Sequence, residues 1–441
     1  YIKLTKEQER HVLPAENTHQ RLKGVAGSGK TLVIGQRVAQ IASLECKVLV
    51  VSFNITLTHY IEHQVGRACV GFDPNFIEYK HFHQVCWDFA DQNGFDFSDK
   101  YIAKNNDGLY SIPKEDEKKY FTKDVPNRVI SEIVNNDLKP QKYDAIIIDE
   151  GQDFHHSWYR MLELFLSDRN ELLLVADDKQ NVYGRDISWI DEMKDVQFRG
   201  KWRTLSISHR LPKAFIPVIK RFSDDYLQDH IQIGEKLEIE SGAEQAFAFM
   251  RPMVKWVEAK KITPLSPNKP KIKNCRDCYK PILKNQEEKK KIRLCSSCQG
   301  HQGRCFEIIY DFISELVDKG SQLNDIVLLV PSNIQGKELR EFLEIKGVKV
   351  MDSFSRNSKF AFSLLKDSDQ IDDFIKITTI YSFKGWEMPH VIILTELDNV
   401  FTDTSNFLMY TALTRTLNSL FVVNRLTEYI SFGKYLNSIG K

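Results

Sequence analysis

The sequence predicts an α/β chain of two units, each built on a parallel sheet. Three observations predict it. Short, continuous apolar runs at 47–54, 143–148, 171–176, 326–330 and 390–394 end in polar turns, as strands buried on both faces do. Helically periodic segments such as 31–41 and 335–346 alternate with them. At 441 residues the chain is also long for one core, so a second unit with insertions is expected.

A hydrophobic content of 42% and a charged content of 27% are those of a soluble folded protein. No apolar run reaches bilayer length and no charged-then-apolar signal opens the chain, so a cytoplasmic location is expected. The first residue is Tyr1, not Met, and a preceding segment is expected. A net charge of +1 does not announce a nucleic-acid binder, so such a partner must be held by local patches.

Taken in order, the chain first offers Thr5 as the N-cap of a helix carrying Gln8. A side-chain amide donates and accepts at once and so suits an adenine edge, though a surface glutamine looks the same. Gly24-Val25-Ala26-Gly27-Ser28-Gly29-Lys30-Thr31 then has the spacing of a phosphate-binding P-loop. Its glycines allow successive N–H groups to converge on an anion at a helix start. Lys30 would reach the β- and γ-phosphates of ATP, and the Thr31 hydroxyl would sit on Mg²⁺.

The run 47–54 reads as a parallel strand whose carboxyl end faces a ligand. Residues 80–87 are aromatic-rich, and His81, His83 and Cys86 lack the spacing of a metal site. The run 143–148 delivers Asp149 and Glu150 to a strand end. Asp149 would hold the Mg²⁺, and Glu150 would polarise the attacking water as general base. The next strand runs into Asp177-Asp178-Lys179-Gln180-Asn181-Val182-Tyr183, where Gln180 is placed to sense a γ-phosphate and Tyr183 to stack on a base. The junction 205–212 presents Arg210, and a predicted helix at 410–416 aims Arg415 at one face.

Cys275, Cys278, Cys295 and Cys298 form two Cys-x-x-Cys pairs separated by sixteen residues, the spacing of a four-cysteine Zn²⁺ ribbon. Thiolates from two knuckles close a tetrahedral shell, so this zinc would be structural. Lysines and arginines around it could track a phosphate backbone or form a solvated charged hairpin. A second α/β unit without its own P-loop is best explained if it works against the first across a cleft.

In this order the stretches resemble superfamily 1 helicases of the UvrD/Rep type, over most of the chain. Gln8 matches the Q motif, 24–31 motif I, 48–54 motif Ia, and 80–84 the Thr-Phe-His motif. Asp149 to Asp153 match motif II, 177–183 motif III, Arg210 motif IV, 379–387 motif V and 410–415 motif VI. The resemblance implies two RecA-like domains with ATP between them. The first would comprise 1–57 and 143–205, with an insertion at 58–142; the second would comprise 206–252 and 305–441, with the zinc ribbon inserted at 253–304.

It further implies that Arg37 contacts nucleotide, that Glu387 touches the ribose, and that Arg210 and Arg415 reach from the second domain to the γ-phosphate. Phe53, His83 and Tyr183 would meet single-stranded DNA, with translocation running 3′ to 5′. Several residues depart from the pattern. Ala176 replaces a glycine, Arg185 stands where a second stacking tryptophan is common, Tyr381 replaces a histidine and Trp386 an aliphatic residue. The family's large second insertion is reduced to a short linker near 351–371. The expected function is an ATP-dependent helicase or translocase. The alternatives are a nucleotide-gated sensor that docks a partner such as a nuclease, and the motor part of a nuclease-helicase fusion.

Overall fold

The apolar strands assemble into two six-stranded sheets in the computed structural model. It describes residues 4–68, 70–97, 103–104, 110–111, 114–192, 197–198, 200–227, 240–241, 252–258, 296–354, 374–396 and 401–439. The chain divides into one unit of Tyr1–Ala246 with Asp403–Thr414, and another of Phe247–Thr402 with Arg415–Lys441.

In the first unit the strands are β1 (Thr18–Gly24), β2 (Val48–Ser52), β3 (Ile77–His81), β4 (Tyr143–Ile148), β5 (Leu166–Ala176) and β6 (Arg203–Leu205). They lie in the order β3-β2-β4-β5-β1-β6, and every pairing is parallel. Alternate residues feed opposite cores, as the strand's two-residue period requires. Val48, Val50, Ile147 and Leu173 pack with the helix Lys30–Ala42 on one face. Leu49, Val51, Ile148 and Leu174 pack with Phe82, Phe154 and Trp158 on the other. Parallel alignment brings the carboxyl ends of β1, β5 and β4 together along one edge, which is where a ligand binds an open α/β sheet.

The second unit contains β7 (Met253–Glu258), β8 (Ile326–Val330), β9 (Val350–Asp352), β10 (Ile375–Thr379), β11 (Met388–Leu394) and β12 (Thr416–Asn424). Their order is β7-β12-β11-β8-β10-β9, again wholly parallel. Leu328, Val330, Ile377, Ile392 and Phe421 form its core with the helix Ser296–Asp318.

The domain boundaries read from the sequence shift in three places. Residues 58–142 are not a separate insertion: β3 extends the first sheet beside β2, and the helix Phe82–Asn93 buries Phe82, Val85 and Phe89 in the same core. Residues 206–246 and the helix Asp403–Leu413 cluster with the first unit, not the second. Residues 253–258 form an edge strand of the second sheet, in register with Ser419 to Asn424, and do not belong to a ribbon. Cys275, Cys278 and Cys295 lie outside the described residues, and of Cys298 only the helical backbone is described. Among the described residues no group of His, Cys, Asp or Glu could hold a metal ion by itself, and no helix is long and apolar enough to cross a membrane.

Candidate nucleotide site

The end of β1 turns into the P-loop, and the helix Lys30–Ala42 starts directly after it. Gly27 and Gly29 sit at φ 76° and 84°, the left-handed region that a side chain resists. Space also requires glycine here: a Cβ on Gly27 would lie 2.6 Å from Ser208 Oγ and Arg210 Cβ, and one on Gly24 2.5 Å from Ser28 Oγ. Gly29 gives the helix no side-chain cap, so its first N–H groups are not satisfied by a capping side chain. The Ser28 hydroxyl is buried with no hydrogen-bond partner. A glycine cradle with an uncapped helix start and an orphaned hydroxyl fits a polyphosphate.

Lys30 Nζ donates to the carbonyls of Gly24 at 2.7 Å and Val25 at 3.2 Å, and pairs with Asp177 Oδ2 at 3.2 Å. Asp177 is in turn held by Gln180 Nε2 at 2.6 Å, and its backbone N–H donates to Gln152 Oε1 at 2.9 Å. The other end of the Gln152 amide donates to Glu150. One network therefore joins P-loop lysine, motif-III-like acid and candidate general base across β1, β5 and β4. Glu150 sits at φ 54°, an unfavourable backbone for a residue with a Cβ, and its N–H donates to Asp149 Oδ1 at 2.9 Å. Asp149 and Thr31 are hard-oxygen donors of the type Mg²⁺ takes.

Gln8 closes a capping box with Thr5 and donates from Nε2 to Ser28 O at 3.0 Å, so it braces the P-loop. Arg210 packs against Gly27 and belongs to the first unit, which corrects its expected place in the second. The neighbouring His209 N–H donates to Gly27 O at 2.9 Å, which holds this segment on the P-loop. Arg415 and Glu387 lie in the second unit, each directly before one of two adjoining strands, with the Met388 N–H donating to Arg415 O at 3.1 Å.

Arg37 is also placed differently from the expectation. Its side chain is wholly buried and paired with Glu171 at 2.7 Å, and it donates further to Gln20 and His11. These partners use the guanidinium to pin the helix to β5 and β1.

Along the same edge, β2 and β3 deliver an aromatic cluster. Phe53 lies 5.0 Å from Tyr183 edge-on and 5.5 Å from Trp158. Arg185 stands over Phe53, Trp158 and Tyr183 at 4.3, 4.7 and 5.3 Å, and donates to Asp153 O. A cation thus fills the slot in which a second stacking ring was missing from the sequence. His83 is buried behind this surface with Nε2 at 2.9 Å from Phe121 O, and burial lowers its pKa to about 4. Phe53 and Tyr183 remain partly exposed, whereas His83 is packed inside. Lys23 lies outside every motif, and Asp178 and Gln152 lie inside motifs III and II without a role assigned to them there. Charge could have marked Asp178, which follows the apolar run 171–176, whereas Lys23 lies in the polar strand Thr18–Gly24, which gives no such signal.

Residues 8–186 match the family model described as an AAA domain. A stretch of 79 residues, 17% of this chain, is 39% identical to the exonuclease/helicase subunit RexA of Lactococcus lactis subsp. cremoris strain MG1363. Two ATP-dependent helicase/nuclease subunits, from the subsp. cremoris strain SK11 and the subsp. lactis strain IL1403, match with the same identity and length. The match spans 6% of the length of each of these relatives. With the geometry of the P-loop corner, these similarities support a helicase-like P-loop domain over residues 8–186.

Proposed function

We propose that the protein is an ATP-driven translocase or helicase on single-stranded DNA, moving 3′ to 5′. The observation that carries this reading is the network Lys30–Asp177–Gln152–Glu150, which links a phosphate cradle to a carboxylate suited to general-base work. ATP binds at 24–31, with Gln8 at the base and Glu387 at the ribose. Thr31 and Asp149 hold Mg²⁺, which neutralises charge on the phosphates. Glu150 takes a proton from the attacking water as the bond from the γ-phosphorus to the β-phosphate oxygen breaks and ADP leaves. Gln180 senses the γ-phosphate, and Arg210 and Arg415 stabilise the charge that develops there, Arg415 from the second unit. Nucleotide turnover would drive movement along the strand.

The strand itself meets Phe53, Tyr183 and the Arg185 cation, with His83 supporting the rings from behind. Stacking and cation–π contact grip bases without sequence preference. The named activities of the relatives favour a nuclease as partner or fused neighbour, and the proposed site of action is the cytoplasm. Cys275, Cys278, Cys295 and Cys298 form a thiolate set suited to structural zinc, and about one zinc per chain is expected, lost on Cys295→Ser. Metal-free native protein would rule the ribbon out.

The deciding experiment is steady-state ATP hydrolysis with and without a single-stranded DNA oligonucleotide, with single-stranded RNA for comparison. Strong stimulation by DNA is expected. Hydrolysis unmoved by either nucleic acid would instead favour a nucleotide-gated docking module.

A further inference from the structure

Lys23 Nζ and Asp178 Oδ2 form an ion pair of 2.8 Å in which the two side chains are only 4% and 5% exposed. Lys23 immediately precedes the P-loop and lies in register with Ala176 of β5; Asp178 follows the end of that same strand. Packing alone does not ask for this pair, since apolar side chains of similar volume would fill the space without the cost of desolvating two charges. Beside it runs the second pair, Lys30 with Asp177 at 3.2 Å. Two lysines and two adjacent acids thus cross the ends of neighbouring strands, and Lys23, Gly24, Asp177 and Asp178 line one small cleft. Burial and the Asp177 charge push the Asp178 carboxyl up, and Lys23 opposes both.

We propose that Lys23 is a positioning residue for nucleotide binding: by neutralising Asp178 it keeps the acid pair from holding Lys30 away from the phosphates. The proposal rests on the reading of 24–31 as an ATP site. To reach a phosphate, Lys30 must leave Asp177 and two P-loop carbonyls. With Lys23 present, its departure exposes one uncompensated carboxylate. Without Lys23 it exposes Asp177 and leaves Asp178 only the weaker charge of Lys179, in a buried corner where charge is weakly screened and facing an anionic ligand.

The test is equilibrium binding of a fluorescent, non-hydrolysable ATP analogue to the full chain, with melting temperature measured in parallel. Lys23→Met should weaken binding by roughly tenfold. Asp178→Asn leaves the Lys23 cation beside the phosphates and should tighten binding about threefold. The double variant should return to within about twofold of the parent, as coupled charges do. A pair that merely holds the strands together gives a different pattern: both single variants bind more weakly in step with their melting temperatures, and the double variant is no better. If Lys23→Met does not fold, the sign of the Asp178→Asn change decides, and weaker binding there overturns the proposal. A folded parent that binds no analogue overturns the ATP reading and this inference with it. A parent that binds while Lys30→Ala does not upholds that reading, so the Lys23 and Asp178 variants then judge the proposal alone.

Discussion

The same local plan occurs twice, and only one copy is left open. In the first unit β1 leads through 24–29 into the helix Lys30–Ala42, whose start carries a left-handed Gly29 and no capping side chain. In the second unit β8 leads through Pro331 and Ser332 into the helix Asn333–Ile345, and Ser332 Oγ accepts from the Gln335 N–H at 3.3 Å. One helix start is satisfied by its own chain and the other is not. The tie to the sheet is also mirrored. Arg37 on the first helix donates to Glu171 of β5, whereas Arg425, just past β12, donates to Gln335 on the second helix at 2.8 Å. A strand-loop-helix becomes a phosphate site when the cap is withheld and a lysine is supplied.

The largest expected effect falls on the open copy. Lys30→Ala and Glu150→Gln should each lower hydrolysis by roughly 10³–10⁴-fold. They should then part company: Glu150→Gln still binds ATP, because the carboxylate acts on water, and Lys30→Ala binds it poorly. Filter binding of labelled ATP separates them. Failure of Glu150→Gln to bind would remove Glu150 from the general-base role.

The tie of the first helix gives the next effect. Arg37→Ala leaves the buried Glu171 carboxylate with only Arg169, at 3.4 Å, and should cost about 3 kcal/mol of stability. The loss should appear in denaturant melts, with the KM for ATP unchanged in the fraction that stays folded. A raised KM at unchanged stability would restore Arg37 to nucleotide contact.

Acid should also distinguish the two units. Burial lowers His83 and His155 to about 4 in the first unit, and it also lowers His390, which lies against Ser321 in the second. The unfolded chain protonates His83 below about pH 6.5, while the folded chain resists until near pH 4. Its contribution is therefore full above pH 6.5, and about 2 kcal/mol of it is lost by pH 5. Tryptophan fluorescence can follow this, because Trp87, Trp158, Trp189 and Trp202 report the first unit and Trp256 and Trp386 the second. His83→Leu should flatten the pH dependence of the first transition; an unchanged slope would place the acid sensitivity elsewhere.

The open copy was legible in the sequence because its chemistry is local. Glycine spacing, an apolar strand and an acidic doublet are contiguous patterns, and the two sheets followed from the rhythm of the runs. What escaped depends on pairing between distant residues. Arg37 looked like a nucleotide contact because its partner Glu171 lies far along the chain on β5, and only the packing of the helix Lys30–Ala42 on the sheet brings them together. Lys23 and Asp178 were invisible as a pair because they too lie far apart along the chain. The unit boundary moved because 403–414 returns to the first unit after the chain has built most of the second. Such returns leave no mark on local composition.

The smallest expected effect tests the closed copy. Ser332→Ala removes the hydroxyl that caps the helix Asn333–Ile345 and should cost about 1 kcal/mol of the second unit's stability. The freed N–H groups then resemble those after Gly29, but no lysine stands where Lys30 would: the helix opens with Asn333, Ile334 and Gln335. A helix dipole alone holds a phosphate weakly, so the analogue should still bind at one site per chain. A second site appearing in Ser332→Ala would show that the cap alone separates the two copies; an unchanged count assigns the difference to Lys30 and the glycine cradle.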